Sequence, residues 1–443
     1  MTFAPPLTWM HLFPAGTSYD CEPGPAWFRD ALRPSPTAAG GGRVRIVLTK
    51  RPADALARAG NDDGLVAINC PGLSAAQLRE AGFTYLRRFA AVPNVAEARW
   101  FIPIDAGGAV ASGAFDLYTP TRTSARIKRA AAQLAARAGV PGWYRDEVWV
   151  AQRREPPLEV LLRDVLGVPD LRLALSAGAP EPARNRKASA ALLGTDGRML
   201  GFAKIAGSPL SRRLLEHEGN VLAALAEARP DGRLAPRRLF AGEADGRYVL
   251  VQSPLPGRPA AKKLTPAHLR FLEALQLGPA RPAAESGFVR SLAARLAALR
   301  PADADLSEAF AALSRRLTGM SVPATVIHGD FTPWNLRRDG DMVTAFDWEY
   351  ATLDGLPVLD ETHHELQVGY LIDKWSVDRA AAALDRRAAN HPQFAATDVV
   401  ALQAVYLLDA AVRLAEEGYA TDDPMLRWHR ALLARRAEGV TRS

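Results

Sequence analysis

The sequence predicts an α+β chain in which a small β-rich lobe and a larger helical lobe follow an α/β N-terminal domain. Three observations predict it. Between residues 171 and 252, short apolar runs are separated by turn signals and interrupted by one amphipathic helix. From 266 to 317, and again from 378 to 416, apolar residues recur at helical spacing. Between Val44 and Phe89, two short apolar runs alternate with helical periodicity. The expected domains are 1–165, 166–258 and 259–443.

Composition narrows the function classes. The chain carries 55 basic and 48 acidic residues, and only seven of the basic ones are lysine. The positive balance therefore rests on Arg scattered through Ala- and Leu-rich helices, which reads as solvated helix faces. No dense basic run with interleaved aromatics occurs, so nucleic acid is not an expected partner. Cys21 and Cys70 have no partner motif of the metal or redox kind and read as free thiols. The segment MTFAPPLTWMHLF has no basic start and no long apolar core, and Asp409 and Arg413 interrupt the most apolar late helix. A cytoplasmic protein without a membrane span is expected; oligomeric state is not legible.

Residues 1 to about 42 are rich in Pro, Gly and aromatics and end in Ala38-Ala39-Gly40-Gly41-Gly42, an irregular arm closed by a flexible link. Val44–Leu48 and Leu65–Asn69 read as strands, and Ser74–Phe89 shows helical periodicity. No Gly-rich phosphate loop follows either strand. Over Arg99–Arg137 the expected order is a strand at Trp100–Ile104, a turn at Gly107-Gly108, a strand at Ala114–Tyr118 and a helix from Ser124. That order matches in outline the later order at Ala188–Ala226, as a degenerate copy of a small lobe would. Leu117 and Ala131 stand where the later copy has Lys and Glu.

From residue 166 the strands are Leu171–Leu175, Lys187–Leu193 and Met199–Ile205, with turns at Ser176–Pro180 and Thr195-Asp196-Gly197. Lys204 lies in the apolar stretch GFAKIAG. A helix beginning near Ser211 aligns Leu214, Glu218, Val221, Leu222 and Leu225 on one face. Glu218 thus falls in an apolar stripe, where a carboxylate without a cation is costly. Lys204 is the nearest candidate cation, and Glu216, on a more polar face, is the comparison. Further strands are read at Pro236–Phe240 and Tyr248–Val251, and helices at Pro266–Leu275, Phe288–Leu299 and Leu306–Leu317.

The chemistry concentrates in Val326–Glu349, VIHGDFTPWNLRRDGDMVTAFDWE. Asp330 precedes a carboxamide, Asn335, with four residues between them. A turn signal, Arg338-Asp339-Gly340-Asp341, and an apolar strand, Met342–Phe346, then fold the chain so that Asp347 returns beside Asn335. Moving a γ-phosphoryl group requires a base for the attacking hydroxyl and oxygen ligands for the metal that bridges the phosphates. Asp330 is spaced to be that base. Asn335 and Asp347 supply the oxygen ligands that suit Mg²⁺, which takes few protein ligands and fills its sphere with phosphate and water.

HGDFTPWN followed by FDWEY resembles the aminoglycoside phosphotransferase and choline kinase-like group of small-molecule kinases, within the phosphotransferase enzyme family. The resemblance covers about the last three fifths of the chain. It implies a protein-kinase-like two-lobed fold after the extra N-terminal domain, and transfer of the γ-phosphoryl of ATP to a small-molecule hydroxyl with Mg²⁺. It also implies that Lys204, held by Glu218, orients the phosphates. In such a fold Gln252–Gly257 is the hinge beside adenine; Pro254 has no N–H, so the donor is Ser253 or Leu255. His328 is implied to be structural, and Asp360 to cap its helix and brace the catalytic loop. Glu349 reaches either a metal, a substrate hydroxyl or a salt bridge, and His363 and His364 are read as helix residues near the cleft. The TPW interior of the loop resembles members associated with bacterial surface-carbohydrate loci, which implies a sugar acceptor. The alternatives are an aminoglycoside-type antibiotic phosphotransferase and a non-catalytic nucleotide-binding scaffold.

Overall fold

The computed structural model describes residues 8–21, 42–117, 123–140, 142–177, 187–230, 234–299 and 303–441. Most of the N-terminal arm, Tyr118 and the 178–180 part of the expected Ser176–Pro180 turn lie outside them. The chain divides into two compact units, Met1–Gly219 with Arg237–Pro254, and Asn220–Pro236 with Leu255–Ser443.

The first unit is built on one sheet. Its strands are β1 (Ser18–Cys21), β2 (Arg43–Leu48), β3 (Gly64–Ile68), β4 (Tyr85–Val92), β5 (Trp100–Pro103), β6 (Asp146–Gln152), β7 (Arg172–Ser176), β8 (Ala188–Leu193), β9 (Met199–Ile205), β10 (Arg238–Ala244) and β11 (Arg247–Gln252). Their order is β1-β2-β3-β6-β4-β5-β7-β8-β9-β11-β10. Strands β1 to β3 are parallel, and every other pairing is antiparallel. The helices are α1 (Pro52–Ala59), α2 (Ala75–Glu80), α3 (Gly108–Gly113), α4 (Thr123–Arg137), α5 (Pro157–Leu166) and α6 (Pro209–Ala228), whose second half belongs to the other unit.

Strands β7, β8, β9, β11 and β10 are consecutive in this sheet and include the strands that the sequence predicts between 171 and 252, with α6 between β9 and β10 in the chain. The sheet continues past residue 165 because β5 pairs with β7 through Trp100↔Ser176 and Phe101↔Leu175. All of β8 is buried, since both of its faces are covered. Successive side chains alternate between faces: Ala190 and Leu192 join the core that holds Ala203, Ile205, Val249 and Val251, while Ala191 and Leu193 pack with Val110, Ala111 and Phe115.

Ala114–Leu117 is a turn of 3₁₀ helix, not a strand. Val110, Ala111, Ala114 and Phe115 recur at helical spacing and are buried in one cluster, so the segment folds as α3 and its continuation. Small residues allow the packing. A Cβ on Gly113 would collide with the Gly197 carbonyl in the β8–β9 turn, and one on Gly197 (φ +79°) with the Ala109 carbonyl. Helix α3 is thereby locked against the turn that carries β9.

The second unit holds short strands and a helical bundle. Its strands are β12 (Arg258–Pro259), β13 (Gln276–Pro282), β14 (Ser321–Ile327), β15 (Leu336–Asp339), β16 (Met342–Ala345) and β17 (Thr352–Gly355). They form two sheets, β12-β15-β16 and β13-β14-β17. The helices are α7 (Pro266–Ala274), α8 (Gly287–Ala298), α9 (Ala304–Thr318), α10 (Leu359–Gln367), α11 (Val377–Ala389), α12 (Ala396–Glu416) and α13 (Pro424–Thr441). Helix α12 is buried almost all round, which its apolar run from Val399 to Leu414 requires, and it is central to the bundle core. Among the described residues no helix is long and apolar enough to cross a membrane.

Candidate active site

In the first unit, strand alternation decides which face Lys204 presents. Ala203, Ile205, Val249 and Val251 fill the core on one face of the sheet, so Lys204 and its neighbours Leu250 and Gln252 on β11 lie on the other, under α6. Lys204 Nζ bonds both carboxylate oxygens of Glu218, at 2.6 and 2.7 Å, and Gln252 Nε2 donates to Glu218 Oε1 at 2.9 Å. All three residues are buried. The pairing expected from the apolar stripe is thus present, and Glu216 pairs instead with Arg212 at the surface. Gln252 was not anticipated: its part follows from the β9–β11 register, which has no local signature in sequence. At the next residue, the Ser253 N–H donates to the Arg237 carbonyl at 2.9 Å, and Ser253 Oγ accepts from the Arg237 N–H.

In the second unit, the loop from His328 to Asn335 is held from three sides. Asp360, at the start of α10, accepts from the backbone N–H of His328 (2.6 Å) and of Gly329 (3.0 Å). It braces the loop but does not cap its helix, whose N-cap position is Val358 with no side-chain bond. His328 Nδ1 accepts from the Asp330 N–H at 3.2 Å, which leaves Nε2–H to donate to the Phe346 carbonyl at 3.0 Å. Gly329 has φ +80°, and a Cβ there would collide with the Tyr350 carbonyl, so the middle residue of HGD must be glycine. Phe331 stacks on Phe271 at 5.4 Å and anchors the loop to α7.

These braces set the Asp330 carboxylate. Its Oδ2 accepts from Asn335 Nδ2 at 2.8 Å and its Oδ1 from His363 Nε2 at 3.0 Å. Because a carboxylate only accepts, His363 carries its proton on Nε2, and its Nδ1 takes the Tyr406 hydroxyl at 3.1 Å. Burial pushes the Asp330 carboxyl up, but the hydrogen bond from His363 and the favourable electrostatics of His363 and His328 outweigh it and hold the group below its ordinary value. The carboxylate is therefore kept ionised, as a proton acceptor must be. Sequence reading placed His363 only near the cleft. The available signal was its position three residues after Asp360, on the same face of the helix.

The hairpin β15–β16 forms as expected, with Phe346 N–H donating to the Asn335 carbonyl at 3.0 Å. Asp347 follows with φ +71°, a left-handed conformation that costs a non-glycine residue about 1 kcal/mol or more and is kept at functional sites. Its charge raises the Asp330 carboxyl, against the histidines. These residues fit Mg²⁺. Asn335 spends its amide N–H on Asp330, so its carbonyl oxygen is the edge left for a cation, and a divalent ion would relieve the mutual repulsion of the two carboxylates. Among the described residues no group of three or more His, Cys, Asp or Glu is arranged to bind a metal. Glu349 is buried beside this turn.

A cavity of about 200 Å³ opens beside Asp330, lined among others by Gly329, Tyr350, His363, Tyr406 and Arg413. His363→Phe should lower kcat about tenfold or more with little change in acceptor KM, by freeing the Asp330 carboxylate from a charge-assisted bond. His363→Gln, which retains an N–H donor, should recover part of the loss in steady-state kinetics.

Residues 190–360 match the model of the Phosphotransferase enzyme family. No curated protein matches the chain. Among solved structures, a thermostable mutant of aminoglycoside phosphotransferase APH(4)-Ia in ternary complex with ADP and hygromycin B is 15% identical, over 64% of this chain and 98% of that one, with a TM-score of 0.43. A putative fructosamine-3-kinase from Haemophilus somnus 129PT is 12% identical over 64% and 96%, TM-score 0.41. A choline/ethanolamine kinase family protein from Mesorhizobium loti is 17% identical over 65% and 95%, TM-score 0.37. The matched stretch, 190–360, contains Lys204, Glu218, Asp330, Asn335 and Asp347, and the match marks the chain as a phosphotransferase.

Proposed function

We propose that the chain transfers the γ-phosphoryl group of ATP to a hydroxyl of a sugar or related small metabolite. The observation that carries this reading is Asp330, ionised, clamped on both oxygens and set in the wall of a small cavity within the family-matched stretch. In this role Asp330 orients the acceptor hydroxyl and takes its proton, while His363 and Asn335 keep the carboxylate from turning away. Lys204, fixed by Glu218 and Gln252, presents its ammonium to the α- and β-phosphates. Asn335 and Asp347 would hold Mg²⁺, which when bound offsets phosphate charge. Since the Ser253 N–H is committed to Arg237, the main-chain donor proposed for adenine is that of Leu255.

The cavity volume favours a small acceptor. Drug-sized sites occupy about 300–1,000 Å³, and this one is smaller. Incubating the protein with ATP, Mg²⁺ and a panel of sugars, sugar derivatives and aminoglycosides, with mass spectrometry of the products, tests the reading. Phosphorylated acceptor that requires both ATP and Mg²⁺ is expected. ATP untouched across the panel, with or without metal, would contradict it.

A further inference from the structure

We propose that Arg413 binds an oxyanion of the acceptor, a phosphate or a carboxylate, so that the substrate is an anionic hydroxyl compound rather than a neutral sugar or a polycationic drug. The proposal rests on the phosphotransferase reading of the Asp330 cavity and names the substrate class for it.

The cavity is lined along one side by α12. Tyr406, Ala410, Arg413 and Glu417 follow one another at spacings of three and four residues and so occupy one face of that helix. Tyr406 stands at the Asp330 end, through its bond to His363. Arg413 is seven residues further on, a rise of about 10 Å along the helix axis. A hydroxyl at Asp330 and an anionic group at Arg413 therefore suit the two ends of one sugar-sized molecule.

Arg413 is short of partners where such a cation is normally well supplied. Its five N–H donors make no hydrogen bond among the described residues, and its one ion pair, to Asp409 Oδ2, is 3.8 Å long. Asp409 is itself committed to Arg295 at 2.7 Å, and Arg295 also bonds Glu416. The Arg413 side chain retains 29% of its exposure although it lies on the most buried helix of the unit, because it opens into the cavity. A planar guanidinium with unused donors is suited to bidentate binding of carboxylate or phosphate.

The rest of the lining agrees. His429 Nδ1 donates to the Met425 carbonyl at 2.8 Å, which leaves Nε2 as an acceptor for a hydroxyl. Burial holds that imidazole neutral, near pKa 4, so it adds no charge. Glu417, the other charged α12 residue lining the cavity, is exposed at the rim, where solvent and salt screen it.

The test is binding to the full-length, nucleotide-free protein, by titration calorimetry, of a hexose, its 6-phosphate and the corresponding hexuronate. Either or both anionic probes are expected to bind the wild type about tenfold or more tightly than the hexose. Arg413→Met should abolish the preference and Arg413→Lys should keep part of it, with melting curves to show that each variant is folded. If Arg413→Met does not fold, Arg413→Gln, which retains N–H donors toward Asp409, replaces it. Equal binding of all three probes, no binding of either anion, or a preference that survives loss of the guanidinium would overturn the assignment. Because nucleotide is absent, the two readings fail separately. Turnover restricted to neutral or cationic acceptors sinks the Arg413 assignment alone, whereas Arg413-dependent anion binding without phosphoryl transfer sinks the proposed function alone.

Discussion

Asp330→Asn should lower kcat for phosphoryl transfer by about 10²- to 10⁴-fold, the range associated with loss of a general base, while the KM for ATP changes little. The carboxamide cannot take a proton from the acceptor hydroxyl. It also cannot satisfy both neighbours, because Asn335 Nδ2 and His363 Nε2 are both donors directed at the same carboxylate. One of those two contacts becomes donor against donor unless His363 changes tautomer. Melting curves should therefore accompany the kinetics: a lowered kcat in a protein that melts near the wild-type temperature assigns the loss to chemistry. Unchanged kcat would remove Asp330 from the mechanism.

The second large effect is expected at Lys204. Lys204→Met removes the ammonium that bonds both oxygens of the buried Glu218 carboxylate. Stranding one member of a buried ion pair costs about 3–5 kcal/mol, so the midpoint of denaturant unfolding should fall sharply. The double variant Lys204→Met with Glu218→Leu should recover most of that stability, since an apolar pair of similar volume satisfies the site. It should not recover activity, because the ammonium proposed for the phosphates is still missing. Recovery of both would make the pair purely structural.

The parts of the fold legible in the sequence were those with a local signature. The strands, the turn at Thr195-Asp196-Gly197 and the helix between 171 and 226 were readable because the apolar runs are short and that turn carries Asp and Gly. Glu218 was readable because a carboxylate in an apolar stripe demands a partner. The hairpin that returns Asp347 was announced by Arg338-Asp339-Gly340-Asp341. What depended on pairing between distant segments was not readable. The continuity of the large sheet rests on two residue pairs between β5 and β7, which no composition shift marks. Gln252 joins Glu218 through strand register, and Tyr406 and Arg413 reach the cavity only because α12 packs as it does. The expected strand at Ala114–Tyr118 failed for the opposite reason: a local signal was present, but the helical spacing of Val110, Ala111, Ala114 and Phe115 outweighed the apolar run.

His363 illustrates what lies between these cases. Its neighbour Asp360 was read as a brace for the catalytic loop, and helix geometry alone puts a residue three positions later on the same side. Carrying that step through would have placed the imidazole against Asp330, where the structure has it.

The measurement that bears most directly on the central claim follows the γ-phosphoryl group itself. ATP radiolabelled at that position is incubated with Mg²⁺, the acceptor panel and either wild-type protein or Asp330→Asn, and the label is partitioned among ATP, inorganic phosphate and acceptor. Label on an acceptor hydroxyl with the wild type, nearly all of it lost in Asp330→Asn, is the predicted result. Label that stays in ATP, or is released only as inorganic phosphate at the same rate by both proteins, would contradict it.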